Sequence, residues 1–192
     1  MAKVVSEDIG SFYHHYPRVA AIVTAHSQGK ENAMAVAWHT PISFIPPLYG
    51  IALSAKRFTY KLIIESKEFG VNFMPFEEAG LVAAVGGSSG EKVDKFRQFN
   101  IALEKPVKTQ VPILQAAYAA YECKVVDDRL YSDHRLVVGE IVAVHLLKEA
   151  FSPEETLDLS RVSPTLYLGS ERYLTASSEA IKYLDREVYG KG

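Results

Sequence analysis

The heptapeptide Ser54-Ala55-Lys56-Arg57-Phe58-Thr59-Tyr60 concentrates the most binding chemistry of any local cluster in the chain. It follows an apolar run and precedes residues at helical spacing. Two adjacent cations, the hydroxyls of Ser54 and Thr59, and the open N–H groups of a helix start suit a phosphate. A solvated polar loop would use the same residue types. A second stretch, Met34-Ala35-Val36-Ala37-Trp38-His39-Thr40, interleaves small and large side chains. Alanines along one strand face let a flat ring approach the backbone. A strand kinked ahead of Pro41 would leave amides free to read the edge of that ring. A core strand packed on another sheet fits the same pattern. His134 stands between Asp133 and Arg135 in a polar stretch, where it is either a reacting group or plain surface. Asn32, just ahead of the alanine stretch, fits a turn equally well. Cys123 lies on the apolar face of a strand pattern and reads as a small core residue, not a nucleophile.

Several chemistries have no footing. There is no GxGxxG and no GxxxxGK[ST], and the glycine-rich stretch Gly86–Gly90 runs into Glu91. There is no HExxH, and the six histidines show no metal-ligand spacing, so no metal site is expected.

The elements that must carry these residues read as mostly antiparallel β. Val19–Thr24 is a buried strand. Ala33–Phe44 is a second, which Pro41 forces to bend, bulge or lie at an edge. Leu48–Ser54 and Phe69–Met74 are two more. Tyr60–Ser66, Glu77–Val85 and Lys92–Phe99 have the spacing of short helices. Ala117–Val126 sets Glu122 and Lys124 on one face, with Tyr121, Cys123 and Val125 on the other. Leu136–Leu147 is almost wholly apolar and is expected to be covered on both faces, with the residues between forming a hairpin loop. Ser178–Tyr189 has the caps and the Ile181, Leu184, Val188 stripe of a C-terminal helix. Too few long helices follow the strands for a doubly wound sheet, and a closed or partly closed barrel is expected.

The 192 residues suit one domain, with its core over about 15–175 and a tail over 176–192. The net charge of −2 gives no footprint for nucleic acid. No apolar run approaches the ~20 residues needed to span a bilayer. The single cysteine and the absence of an apolar leader in MAKVVSEDIGSF point to a reducing cytoplasm.

Five segments in register resemble the flavin reductase-like family. They are Asn32–Pro47, with its methionine strand, Ser43, and Pro46-Pro47; Lys56–Tyr60; Phe69-Gly-Val-Asn72-Phe; Ser89-Gly90 with Asp94-Lys95-Phe96; and Asp133-His134 with Val138-Gly139-Glu140-Ile141. The similarity covers roughly residues 15–175. It implies a mainly β fold, the FMN-binding split β-barrel with short peripheral helices. It implies that Ala35, Val36, Ala37, Trp38, His39 and Thr40 lie along the flavin ring. Ser54, Ala55, Lys56, Arg57 and Thr59 would then hold the phosphate, with help from Ser89 and Gly90. Asn32, Met34 and Asn72 complete the implied cofactor set, and His134 faces the nicotinamide or substrate. Trp38 and Pro41 depart from residues common in the family. The short, glycine-poor phosphate loop favours FMN over FAD.

The implied activity is NAD(P)H-dependent reduction of flavin or another acceptor. The alternatives are a flavoredoxin-like electron carrier working with a redox protein, and a homodimer that has lost flavin. The family also implies a homodimer with the site near its interface. Phe12, Tyr13, Tyr16 and the C-terminal stripe are apolar groups that need something to pack on.

Overall fold

A computed structural model describes residues 1–184. The strands are β1 (Arg18–Val19), β2 (Ala21–Ser27), β3 (Lys30–Val36), β4 (His39–Phe44), β5 (Pro47–Leu53), β6 (Glu68–Phe73), β7 (Leu103–Glu104), β8 (Ile113–Leu114), β9 (Ala119–Tyr131), β10 (His134–Leu146), β11 (Leu166–Gly169) and β12 (Arg172–Leu174). The helices are α1 (Phe58–Ser66), α2 (Ala79–Gly87) and α3 (Lys95–Gln98). Seven strands form one antiparallel sheet in the order β3-β2-β6-β9-β10-β5-β4.

That order dictates the shape. The two end strands, β3 and β4, are consecutive in the chain and separated only by Ala37 and Trp38. A flat sheet would hold its ends six strands apart, so this sheet wraps until its ends meet. The result is a split β-barrel, closed at the seam by covalent connection instead of a ladder. Pro41 lies on β4, the end strand, beside a register shift between Pro41 and Ser43, as its missing N–H requires.

Side chains alternate across β2. Ala21, Val23 and Ala25 enter the main core with Ile51, Phe69, Val71, Cys123 and Val137, and Leu62 and Ile63 of α1 join them. Ala20 and Ile22 face the other way, into a smaller core with Val82 and Val85 of α2. Both faces are dry over residues 20–23, which read as an unbroken apolar run. Gly139 makes the barrel possible at one point: a Cβ there would come within 2.6 Å of the Phe69 ring and 2.8 Å of Cys123 Cβ.

Four expectations are corrected. The strand expected over 33–44 is two strands, broken at Ala37–Trp38 by the turn from one sheet edge to the other. The loop expected between the long strands shrinks to a turn at Ser132-Asp133, because β9 and β10 run on through their polar residues. β10 is not covered on both faces: Val144 and Leu146 are 53% and 52% exposed. Over its described residues the C-terminal segment forms a 3-10 turn at Ser178–Ala180 and is extended at Ile181, in place of the start of the expected helix. Ile181 and Leu184 are exposed, so among the described residues this part of the stripe meets no surface that would support a helix. Val188 and the rest of 185–192 lie outside the described residues.

Candidate functional site

β5 hands the chain to α1 through the Ser54–Arg57 turn, closed by Arg57 N–H donating to Ser54 O at 3.0 Å. Arg57 is the N-cap residue, with extended backbone and no capping side-chain hydrogen bond, and no acid sits in the first turn. The Phe58 and Thr59 N–H groups find no acceptor among the described residues and remain open to an anion, while the Tyr60 N–H donates to Arg57 O at 3.1 Å. The Asn32 amide donates to Thr59 Oγ1 at 2.8 Å and ties α1 to β3. Gly90 packs on the same amide so closely that a Cβ there would lie 2.1 Å from Asn32 Oδ1. Only glycine lets the Ser89-Gly90 loop reach this end of the site.

Lys95 completes this end, and sequence reasoning did not single it out as a site residue. Asp94 caps α3 by accepting from Arg97 N–H at 3.1 Å, which turns Lys95 inward. Its Nζ donates to Ala33 O at 2.8 Å and Val85 O at 2.7 Å. The second carbonyl belongs to the last turn of α2, where a cation is favoured. Two bonds use two of three ammonium protons. Burial, then the nearby Arg57, lowers the Lys95 pKa to about 8. Among the described residues, none of Lys56, Arg57 and Lys95 has a carboxylate within ion-pair distance.

These residues line one end of a cleft of about 700 Å³ that runs along β3. Asn32 to Trp38 spans about 20 Å at strand rise, and Met34, Ala35, Val36, Ala37 and Trp38 line it. At the far end the Trp38 and His134 rings lie 4.9 Å apart, centre to centre. His134 Nδ1 is 3.1 Å from Asp133 Oδ1. Tyr13, Tyr16 and Tyr167 also line this end. The aromatic residues ahead of β1 thus pack on the chain's own cleft: Phe12 lies 6.0 Å from Trp38. In the β3–β4 link the N–H groups of Ala37 and Trp38 find no acceptor among the described residues, while Trp38 O accepts from Ala52 N–H at 2.8 Å.

The cleft therefore gathers Asn32, Met34, Ala35, Val36, Ala37, Trp38, Ser54, Lys56, Arg57, Thr59, Ser89, Gly90 and His134. Four expected residues lie elsewhere. Ala55 is exposed on the turn. His39 turns away from the cleft and is held by Tyr49 OH at 2.7 Å and Val19 O at 2.9 Å. Burial lowers its pKa against the opposing effect of the Val19 bond. Thr40 sits with it beside a separate groove. Asn72 is fully buried, donating to Ile22 O at 3.0 Å and accepting from Leu114 N–H at 2.9 Å. It pins β2 and β8 to β6 and does not reach the cleft.

The residues present can hold an elongated ligand with an anionic end and a flat apolar end. The cationic end has open backbone donors, and the strand wall is built of small side chains.

The chain is similar to several known proteins. Relatives include an uncharacterized protein of Aeropyrum pernix, 31% identical over 82% of this chain and 59% of its own. The chain thus spans little more than half of that relative. The ferric-chelate reductase (NAD(P)H) of Archaeoglobus fulgidus is 30% identical over 67% of this chain and 76% of its own. An FMN-binding protein of Thermus thermophilus superposes with a TM-score of 0.84, at 31% identity over 95% of this chain and 99% of that one. The family model described as the flavin reductase like domain matches residues 13–175, and this chain belongs to that family.

Proposed function

We propose that the protein is an FMN-dependent oxidoreductase that draws electrons from NAD(P)H and passes them to flavin or another acceptor. One observation carries the reading. Three cations without carboxylate partners among the described residues meet an uncapped helix start at one end of a cleft whose other end is walled by alanines and aromatic rings. A phosphate at the first end and an isoalloxazine ring at the second satisfy both. Flavin, when bound, supplies the two-electron chemistry. The chain's own residues bind and orient it. Lys56, Arg57, Lys95 and the α1 amides neutralise the phosphate. Ala35 and Ala37 admit the ring, and the Ala37 and Trp38 N–H groups offer donors to its edge. His134 flanks the space left for nicotinamide or acceptor.

The purified protein is expected to be yellow and to release FMN on denaturation. NAD(P)H oxidation with free FMN separates a reductase from a carrier, since a carrier turns over only with a protein acceptor added. The carrier reading has its own support in a flavoredoxin of Methanosarcina acetivorans, which superposes with a TM-score of 0.83 at 25% identity. A colourless protein that binds neither FMN nor FAD would overturn both.

The active form is a homodimer in this reading. A groove lined by Pro41, Phe44, Tyr49, Tyr121 and Val144 lies away from the cleft. Phe44 at its rim is 93% exposed, and an exposed apolar surface of this kind suits a second copy.

A further inference from the structure

One wall of the cleft's aromatic end does not come from the barrel. It comes from Ser11, Tyr13 and Tyr16, ahead of the first strand. Tyr16 is tied into this end by the Trp38 indole, whose Nε1–H donates to Tyr16 OH at 2.8 Å. Trp38 sits on the two-residue seam, outside any strand, so no ladder neighbour on either side fixes its side chain. What holds the indole is that bond, the tilted Phe12 ring, and the His134 ring at 4.9 Å. Tyr16 is itself gripped on three sides, by Tyr13 at 5.3 Å, His15 at 5.0 Å and Tyr167 at 5.9 Å between ring centres. Three ring contacts therefore set the hydroxyl, and the hydroxyl sets the indole. A half-buried indole N–H needs a partner, and without the hydroxyl it would re-aim to find one.

We propose that Tyr16 is a positioning residue that holds the Trp38 indole as a fixed side wall, making the aromatic end of the cleft a slot for flat aromatic or conjugated acceptors that excludes branched ones. This rests on reading the cleft as the flavin site, since the slot is the space beside the ring. Specificity of this kind comes from a wall that does not yield. The indole, backed by His134 and Phe12, is the rigid planar surface at that position.

Trp38 is the only tryptophan, so its fluorescence reports the wall directly. In the flavin-free protein, Tyr16→Phe should at least double the acrylamide quenching constant of Trp38. In FMN-loaded protein, 4-hydroxybenzaldehyde and its 3,5-di-tert-butyl derivative serve as flat and branched probes, followed by perturbation of the flavin absorbance. The native protein should prefer the flat probe by tenfold or more. Tyr16→Phe should cut that preference to below threefold, by gain of the branched probe. Trp38→Phe should lose the preference equally, and adding Tyr16→Phe to it should change nothing further. Unchanged quenching, parallel weakening of both probes, or additive effects in the double variant would each overturn the positioning role. Failure of the native protein to take up FMN would instead overturn the reading of the cleft, which the quenching measurement does not depend on.

Discussion

Burial and the neighbouring Arg57 bring Lys95 down to about 8 from the usual 10.5, which gives the cationic end of the cleft a pH dependence of definite sign. Between about pH 8 and 10.5 the unfolded chain holds a proton that the folded chain has released. Stability of the flavin-free protein should therefore rise with pH through that window as far as Lys95 controls it. Phosphate binding needs the opposite, a charged Lys95. FMN affinity should fall as pH rises above about 8, with proton uptake on binding, while riboflavin affinity stays level; calorimetric titration in buffers of different ionisation enthalpy measures both. Replacing Lys56 and Arg57 together with alanine should cost FMN binding on the order of 2–4 kcal/mol, since hydrogen bonds to charged groups contribute roughly 1.5–3 kcal/mol each. Riboflavin should again be indifferent, and fluorescence titration of the two flavins compares them. At this scale the sequence shows Lys56 and Arg57 plainly, because a polar pair between a strand and a helix has few structural duties. It hides Lys95, whose short helix looks like any charged surface turn until Asp94 is seen to cap it. It also does not show that His39 and Asn72 turn away from the cleft, because a polar residue that satisfies buried backbone groups has the same composition signal as one that meets a ligand.

β9 carries a comparable hidden residue. Glu122 shares a face with Lys124 by alternation, yet its side chain is fully buried. Its carboxylate accepts from the N–H groups of Val107, Lys108 and Thr109 at 2.7, 2.9 and 2.7 Å, from Thr109 Oγ1, and shares a bond with His145 Nε2. Burial alone would push this acid up, but the donors from Val107, His145, Lys108 and Thr109 overcome it and hold it at about 2. The carboxylate therefore stabilises the fold above its unfolded pKa near 4.5 and loses that contribution as pH falls toward 2. Glu122→Gln should cost on the order of 3 kcal/mol at neutral pH and flatten the acid limb of a urea-midpoint against pH profile. Alternation revealed the strand and its two faces. What covers each face depends on the loop at 107–109, which lies thirteen or more residues away in sequence and has no pattern of its own. Pro41 shows the reverse case, since a missing N–H restricts a strand to an edge wherever the rest of the chain goes.

Across the whole molecule, the uncovered half of β10 and the protruding Phe44 and Ile45 leave apolar area that one copy does not bury. Light scattering at micromolar concentration should return about twice 21.3 kDa, with or without FMN. The mass should change little between low and high salt, because an apolar contact is not screened. Phe44→Glu should shift the population toward monomer. Barrel topology was readable in outline from strand lengths and missing helices. Where the barrel splits was not, because the seam lies within a single apolar stretch whose composition is uniform through Ala37 and Trp38.

That seam also bears on timescales. Among the described residues the two link amides have neither a ladder partner nor another acceptor, so no hydrogen bond there retards their exchange. They should exchange within the dead time of a manual experiment in the flavin-free protein, while the flanking amides of β2 and β5 persist for hours. If a ring edge is what they meet, saturating FMN should slow Ala37 and Trp38 by orders of magnitude and leave the barrel's slowest amides where they were. The place where the sheet fails to close on itself would then be the place where the cofactor closes it.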